Sequence, residues 1–370
     1  MKGEAVMEKS KILPLAAAGL GVAAGALSGL YFRRFKSLAT IRQLTFYKDY
    51  NLYRMDVRHR YSIDNIIKHD IEDDQSFIDA VVRESMPGLP VKIKAPNFGC
   101  SAFCMKDMAE HTLMGRNYDF KNNTSALLVH CAPKDGYRSV AFAALDNVSA
   151  NEADRSIRTK IACLTAPFIC LDGMNEKGVS IAVLTLDSEP TRQQTGRPVI
   201  ATTLLIRLVL DRAATTEEAI QLIRGYDMFA TSGRDYHFYI TDASGDSRVV
   251  EYDCDSPYRE LTVTPVRTVT NFYEMYRKHV KPNQENGIYG HGRERHDAIE
   301  EILDENKEAL TALVAWKALR AASQEPREDD VTSNTQWSIL YNNTDLTAEI
   351  AIRRDWDTIT KYYLSTNRIG

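Results

Sequence analysis

Two short apolar runs, Gly99 to Cys104 and Leu113 to Phe120, flank a polar break at Lys106-Asp107, a pattern that predicts a β-hairpin. Its first strand starts at Cys100, and its second returns Arg116 and Asp119 beside it. A thiol, a guanidinium and a carboxylate then meet at one end of a sheet. Ala126 to Cys131 and Ser139 to Leu145 read as further strands, and Leu171 to Leu184 reads as strand, polar turn and strand. Thr202 to Ala214 has Leu204, Leu205, Leu208 and Val209 on one helical face. Thr215-x-x-Glu218 opens a second helix that stops at Gly225. Tyr236 to Thr241 and Arg248 to Tyr252 predict a hairpin, Arg295 to Ala322 is helix-rich, and Thr335 to Tyr341 with Leu346 to Ile352 predicts a closing hairpin. Strands at both ends with helices between them suit antiparallel sheets covered by helices, an α+β arrangement, better than a βαβ repeat.

The chain before Cys100 has a different character. Ile12 to Phe32 carries no charge over 21 residues, about the length that spans a bilayer. Lysines precede it, Arg33, Arg34 and Lys36 follow, and Gly21, Gly25 and Gly29 recur every four residues. The run reads as a membrane anchor, with a secretory signal cut after Ala24-Gly25-Ala26 as the competing reading. Residues 33–99 are polar, with one predicted helix at about Asp74 to Glu84, and approach Gly99 through Pro87, Pro90 and Pro96. Prolines keep that approach extended. Gly99 has no side chain to obstruct attack of the Cys100 thiol on its carbonyl. The division expected is 1–32 signal or anchor, 33–99 pro-region and 100–370 catalytic domain. Taken by themselves, residues 33–99 read more simply as a plain linker.

Composition narrows the functional classes. The 370 residues are 44% hydrophobic and 26% charged, with 46 basic against 50 acidic side chains and a net charge of −4. Nothing there points to nucleic acid as a partner. Six cysteines are too sparse for a disulfide scaffold and show no paired Cys-x-x-Cys spacing, and there is no His-x-x-x-His metal pair. No cofactor or metal is expected. Cys104 shares a strand face with Cys100 and reads as a packed core residue.

From Cys100 onward the chain resembles the choloylglycine hydrolase family of N-terminal-nucleophile hydrolases, which includes bile salt hydrolases and penicillin V acylases. Gly115-Arg116-Asn117-Tyr118-Asp119 stands for the family's Gly-Arg-Asn-x-Asp, with Arg116 16 positions after Cys100. That spacing selects Cys100 over Cys104. Asp172 to Gly178, His237 to Gly245, Val269-Thr270-Asn271 and Glu294-Arg295-His296 resemble further family motifs in the family's order. The resemblance implies a four-layer αββα sandwich of antiparallel sheets. It implies that Cys100 attacks an amide carbonyl with its own freed α-amine as base. Asp119 would orient that amine, with Arg116 holding the carboxylate and favouring the thiolate. Asn271 would donate its amide to the oxyanion, and Arg295 would complete the site, with Arg293 as the alternative register. His237 reads as structural.

Two departures matter. Bile salt hydrolases carry an Asn and penicillin V acylases a Tyr where this chain has Thr185, expected to lend its backbone N–H to the oxyanion. Many relatives lose only an initiator Met, whereas 99 residues precede Cys100 here, so self-cleavage at Gly99-Cys100 is expected. The expected activity is hydrolysis of a small linear N-acyl amide by an exported or membrane-tethered enzyme. An acyltransferase using the same site is the second reading, and a non-enzymatic, unprocessed membrane-associated binding protein is the third. An oligomer is left open. Loops Asp187 to Pro198 and Tyr273 to Gly292 are expected to frame the pocket.

Overall fold

Alternation along the Cys100 strand sets the layering. In Phe98–Lys106, Cys100, Ala102 and Cys104 turn into the main core, while Phe103 and Met105 turn the other way into a second apolar cluster. Both faces of the strand are therefore covered, and each is apolar. The computed structural model describes residues 31–86, 98–120, 123–284, 287–326 and 334–370.

The sheet holding Cys100 has seven strands, in the order Thr268–Val269, Phe98–Lys106, Thr112–Phe120, Thr335–Asn342, Thr347–Ile352, Ile359–Tyr363, Arg368–Ile369. Every neighbouring pair is antiparallel. The facing sheet has nine, in the order Arg42–Gln43, Leu52–Asp56, Ala126–Cys131, Ser139–Ala144, Asp172–Asn175, Ser180–Leu186, Asp235–Thr241, Ser247–Tyr252, Leu261–Pro265. Helices Arg293–Glu305 and Ala312–Ala321 bury Ile299, Leu303, Ala315 and Leu319 against the outer face of the seven-stranded sheet. Helices Thr202–Arg212 and Thr216–Ile223 pack on the nine-stranded one. The four layers are helix, sheet, sheet, helix, as expected.

Most elements fall where the hydrophobic pattern puts them, within a residue or two. One helix differs in kind. Thr202–Arg212 is buried on nearly all sides, not on one face. Its outer side is covered by Ile63–Ile67 and Tyr61, whose hydroxyl donates to Asp211 at 3.0 Å. The buried Arg207–Asp211 ion pair, 2.7 Å, lies beneath that cover.

Residues 31–86 are thus built into the sandwich. Leu52–Asp56 is buried at every position and adds to Ala126–Cys131 in parallel, the single parallel pairing of the nine-stranded sheet. Helix Asp74–Ser85 is capped by Asp73, and Asp74 accepts the Ser232 N–H. The 33–99 segment therefore contributes two strands that its polar composition had concealed. The boundary expected at residue 100 falls inside a continuous strand. Among the described residues no helix is long and apolar enough to cross a membrane. The anchor or signal at 12–32, save its last two residues, and the proline-bearing approach 87–97 lie outside the described residues.

Candidate active site

Cys100 lies directly opposite Tyr118 on the neighbouring strand, and Ala102 opposite Arg116. Opposite partners in a sheet share a face, so Arg116 enters the core beside the Cys100 thiol. Asp119 is three positions on from Arg116 and points to the other face, where it lies opposite Gly99. This separates the two residues that the sequence had paired. Arg116 Nε meets Asp172 Oδ2 at 2.8 Å, with both side chains fully buried. Asp172 also accepts the Tyr341 hydroxyl at 2.5 Å, and Arg116 donates to the Val183 carbonyl at 3.1 Å. Asp119 is held instead by Thr335 Oγ1 at 2.6 Å, Gln324 Nε2 at 2.8 Å and Arg295 Nη1 at 3.3 Å.

Asn271 and Arg295 close the ring around the Cys100 backbone. The Cys100 N–H donates to Asn271 Oδ1 at 2.9 Å, and Arg295 Nη2 donates to the same oxygen at 2.7 Å. Arg295 Nη1 donates to the Cys100 carbonyl at 3.0 Å. Asn271 Nδ2 gives a hydrogen to the Thr185 carbonyl at 2.9 Å, which places Thr185 beside it at the end of Ser180–Leu186. Of the two arginine registers, Arg295 is the one that reaches Cys100. Arg293 turns outward to Asp297 at 2.7 Å. Gly292 is what lets Arg295 lie where it does: its φ is +85°, and a Cβ there would stand 2.5 Å from Arg295 Nη2.

The electrostatics follow from burial. With no exposed surface, the Cys100 thiol is pushed up to about 12 by desolvation, which Asp119 and Asp172 reinforce and Arg116 and Arg295 oppose. The sulfur is therefore a thiol at neutral pH. Burial also raises the Asp119 carboxyl above its ordinary range, against the pull of Arg295 and the bonds from Thr335 and Gln324. Burial pushes Asp172 up in the same way. Burial works to lower Arg116, but the charges of Cys100 and Asp172 outweigh it and leave the guanidinium more basic than usual. An arginine does not give up its proton, so we read the Arg116–Asp172 pair as ionised.

Of the six residues singled out in the sequence, Cys100, Asp119, Asn271 and Arg295 are joined by hydrogen bonds and Thr185 joins through Asn271, while Arg116 lies on the thiol side of the strand, bound to Asp172. Asp172, Thr335 and Gln324 were missed as members of the cluster. Asp172 stood inside a quoted motif, and the two-residue period of strands would have turned Arg116 away from Asp119. Nothing local marks Gln324 or Thr335. Among the described residues no cluster of three His, Cys, Asp or Glu side chains could hold a metal ion.

Residues 100–283 match the sequence model of a family described as linear amide C-N hydrolases, choloylglycine hydrolase family. Residues 100–283 belong to the choloylglycine hydrolase family. It is a hydrolase of carbon–nitrogen bonds in linear amides, which sets aside the non-enzymatic reading. Two structures of conjugated bile acid hydrolase variants from Clostridium perfringens share its fold at a TM-score of 0.52 and 15% identity. They cover 73% of this chain and 95% and 96% of their own. Penicillin V acylase from Agrobacterium tumefaciens aligns over 71% of this chain and 91% of its own, at 15% identity and a TM-score of 0.49.

Cys104 makes a contrast with Cys100 in this choloylglycine hydrolase. Its sulfur lies 3.3 Å from Thr241 Oγ1 in the core, with 5% exposure, away from the ring around Cys100. Cys104→Ala is expected to cost about 1 kcal/mol of stability, read as a small fall in Tm. Turnover should match that of the unaltered protein.

Proposed function

We propose that this enzyme hydrolyses a small N-acyl amide through an acyl-enzyme on Cys100, after the Gly99–Cys100 bond is cut. The observation that supports this best is the ring around the Cys100 nitrogen, where Asn271 Oδ1 accepts its N–H and Arg295 links Asn271, Asp119 and the Cys100 carbonyl. In self-cleavage the Cys100 sulfur attacks the Gly99 carbonyl and displaces the Cys100 nitrogen, which takes the thiol proton. Water then hydrolyses the Gly99 thioester, leaving a Gly99 carboxyl group, a free thiol and a free α-amine. Such an amine has a reference pKa of roughly 7.7–8.0, so near neutral pH it can act as a base.

In turnover the neutral amine accepts the thiol proton as sulfur adds to the substrate carbonyl. The second hydrogen of Asn271 Nδ2 and the Thr185 backbone N–H would bind the developing oxyanion, each such donor contributing about 10²–10³ in rate. The amine then protonates the leaving amine, and the C–N bond breaks. Water, deprotonated by the same α-amine, cleaves the thioester to free acid and regenerates the thiol. Arg116, held by Asp172, adds positive charge beside the sulfur.

Intact mass and N-terminal sequencing of the purified protein test the first half. A chain that stays joined through Gly99 yet hydrolyses amides at full rate would sink it. A panel holding a conjugated bile salt, penicillin V and simple N-acyl amino acids and amines tests the second half. Substrate choice is the open variable, because Thr185 matches neither subfamily.

Residues 12–32 act in this reading as an anchor or an export signal, with the catalytic sandwich outside the cytoplasm. After cleavage the two pieces should co-elute on gel filtration in high salt. Leu52–Asp56 is a buried strand of the nine-stranded sheet, and removing it would expose five residues and a row of backbone groups. Separation of the pieces under native conditions would contradict this. Membrane fractionation of cells making the full chain, against one lacking 1–32, tests the location.

A further inference from the structure

His237, in Asp235–Thr241, has no exposed surface, and neither has Glu251 on the adjoining strand. His237 Nδ1 lies 3.0 Å from Glu251 Oε1, and Nε2 lies 2.8 Å from the Thr270 carbonyl oxygen. Glu251 Oε1 also takes the Glu274 N–H at 2.8 Å, and Oε2 takes the Met275 N–H at 3.1 Å. A ring nitrogen at this distance from a carbonyl oxygen carries a proton, so Nε2 donates to Thr270, and Nδ1 shares a hydrogen bond with the Glu251 carboxyl group. The other charged group facing the pair is Glu274, itself bound to Arg277 at 2.6 Å.

The contacts of this pair bracket one short segment. His237 holds the carbonyl just before Asn271, and Glu251 holds the two N–H groups just after Tyr273. Between those grips lies Asn271, whose Oδ1 accepts the Cys100 N–H. What this buried pair supplies is a fixed place for the short strand Asn271–Phe272. We infer that His237, hydrogen-bonded to Glu251, is a positioning residue that sets Asn271 against the Cys100 nitrogen. It touches no reacting atom. The inference rests on the reading of Cys100 and Asn271 given above.

A double-mutant cycle on self-cleavage tests it, followed by intact mass over time in the full chain. His237→Gln and Asn271→Ala should each lengthen the half-time at least about tenfold. The double variant should be within about twofold of Asn271→Ala alone, because the histidine acts only through the asparagine. A merely structural role would multiply the two losses, and that result, or a wild-type rate in His237→Gln, overturns the inference. Wild-type protein that never cleaves, or Asn271→Ala at full speed, would sink the underlying reading as well; slow Asn271→Ala with multiplied losses sinks this inference alone. If His237→Gln does not fold, nitrogen-15 NMR of the histidine-labelled wild-type protein decides. A protonated Nε2 is expected at His237, and a bare Nε2 overturns the inference.

Discussion

Cys100→Ala is expected to remain a single full-length chain and to lose turnover by on the order of 10³-fold or more. In the proposed mechanism the alanine removes both events at once, because the same sulfur would be the attacking atom in each. Cys100 is fully buried between the sheets and loses only one sulfur atom in the exchange, so the fold should survive with a modest fall in Tm. That matters for interpretation, since an inactive but folded protein separates chemistry from packing. The measurements are intact mass after prolonged incubation and hydrolysis of whichever amide the panel identifies. Cys100→Ala that still cuts before residue 100 would assign cleavage to another protease. Retained turnover would remove Cys100 from the mechanism altogether.

Arg116→Met is expected to be the most destabilising single change at the site. Arg116 and Asp172 meet at 2.8 Å with no exposed surface on either side chain. Removing the guanidinium strands a buried carboxylate, a class of change that costs about 3–5 kcal/mol. Against a typical domain stability of about 5–15 kcal/mol, that is enough to lower expression and Tm sharply. The companion change Asp172→Asn removes the stranded charge while its side-chain oxygen still accepts from Tyr341. Arg116→Met/Asp172→Asn should therefore be more stable than Arg116→Met alone, as denaturant unfolding would read. The double variant should nonetheless remain a poor catalyst, because no positive charge is left on that side of the sulfur. Equal stability of the single and double variants would mean that the pair is not ionised.

Much of the site was legible because its signals are local or ordered along the chain. The hairpin follows from two apolar runs about a polar break, and the spacing of Arg116 from Cys100 picks out one cysteine of six. Asn271 and Arg295 came from motif order. What failed was pairing. Arg116 and Asp119 look like partners in a sequence, yet a strand sends residues three apart to opposite faces, and each found a partner far along the chain. The polar segment 33–86 gave no strand pattern, because Leu52–Asp56 includes Arg54 and Asp56, a charged pair buried at 2.9 Å.

Hydrophobic period in the sequence determined the α+β class, and resemblance to a family's ordered motifs supplied the layering, the nucleophile candidate and most, not all, of the side chains around it. Only the tertiary structure decided which charge answers which. It alone showed that the leading segment forms part of the nine-stranded sheet, and that His237 and Glu251 grip the short strand carrying Asn271. Those outcomes depend on strand register and on how two sheets stack, which bring together residues such as Cys100 and Asn271, 171 positions apart. No local pattern encodes a contact of that range.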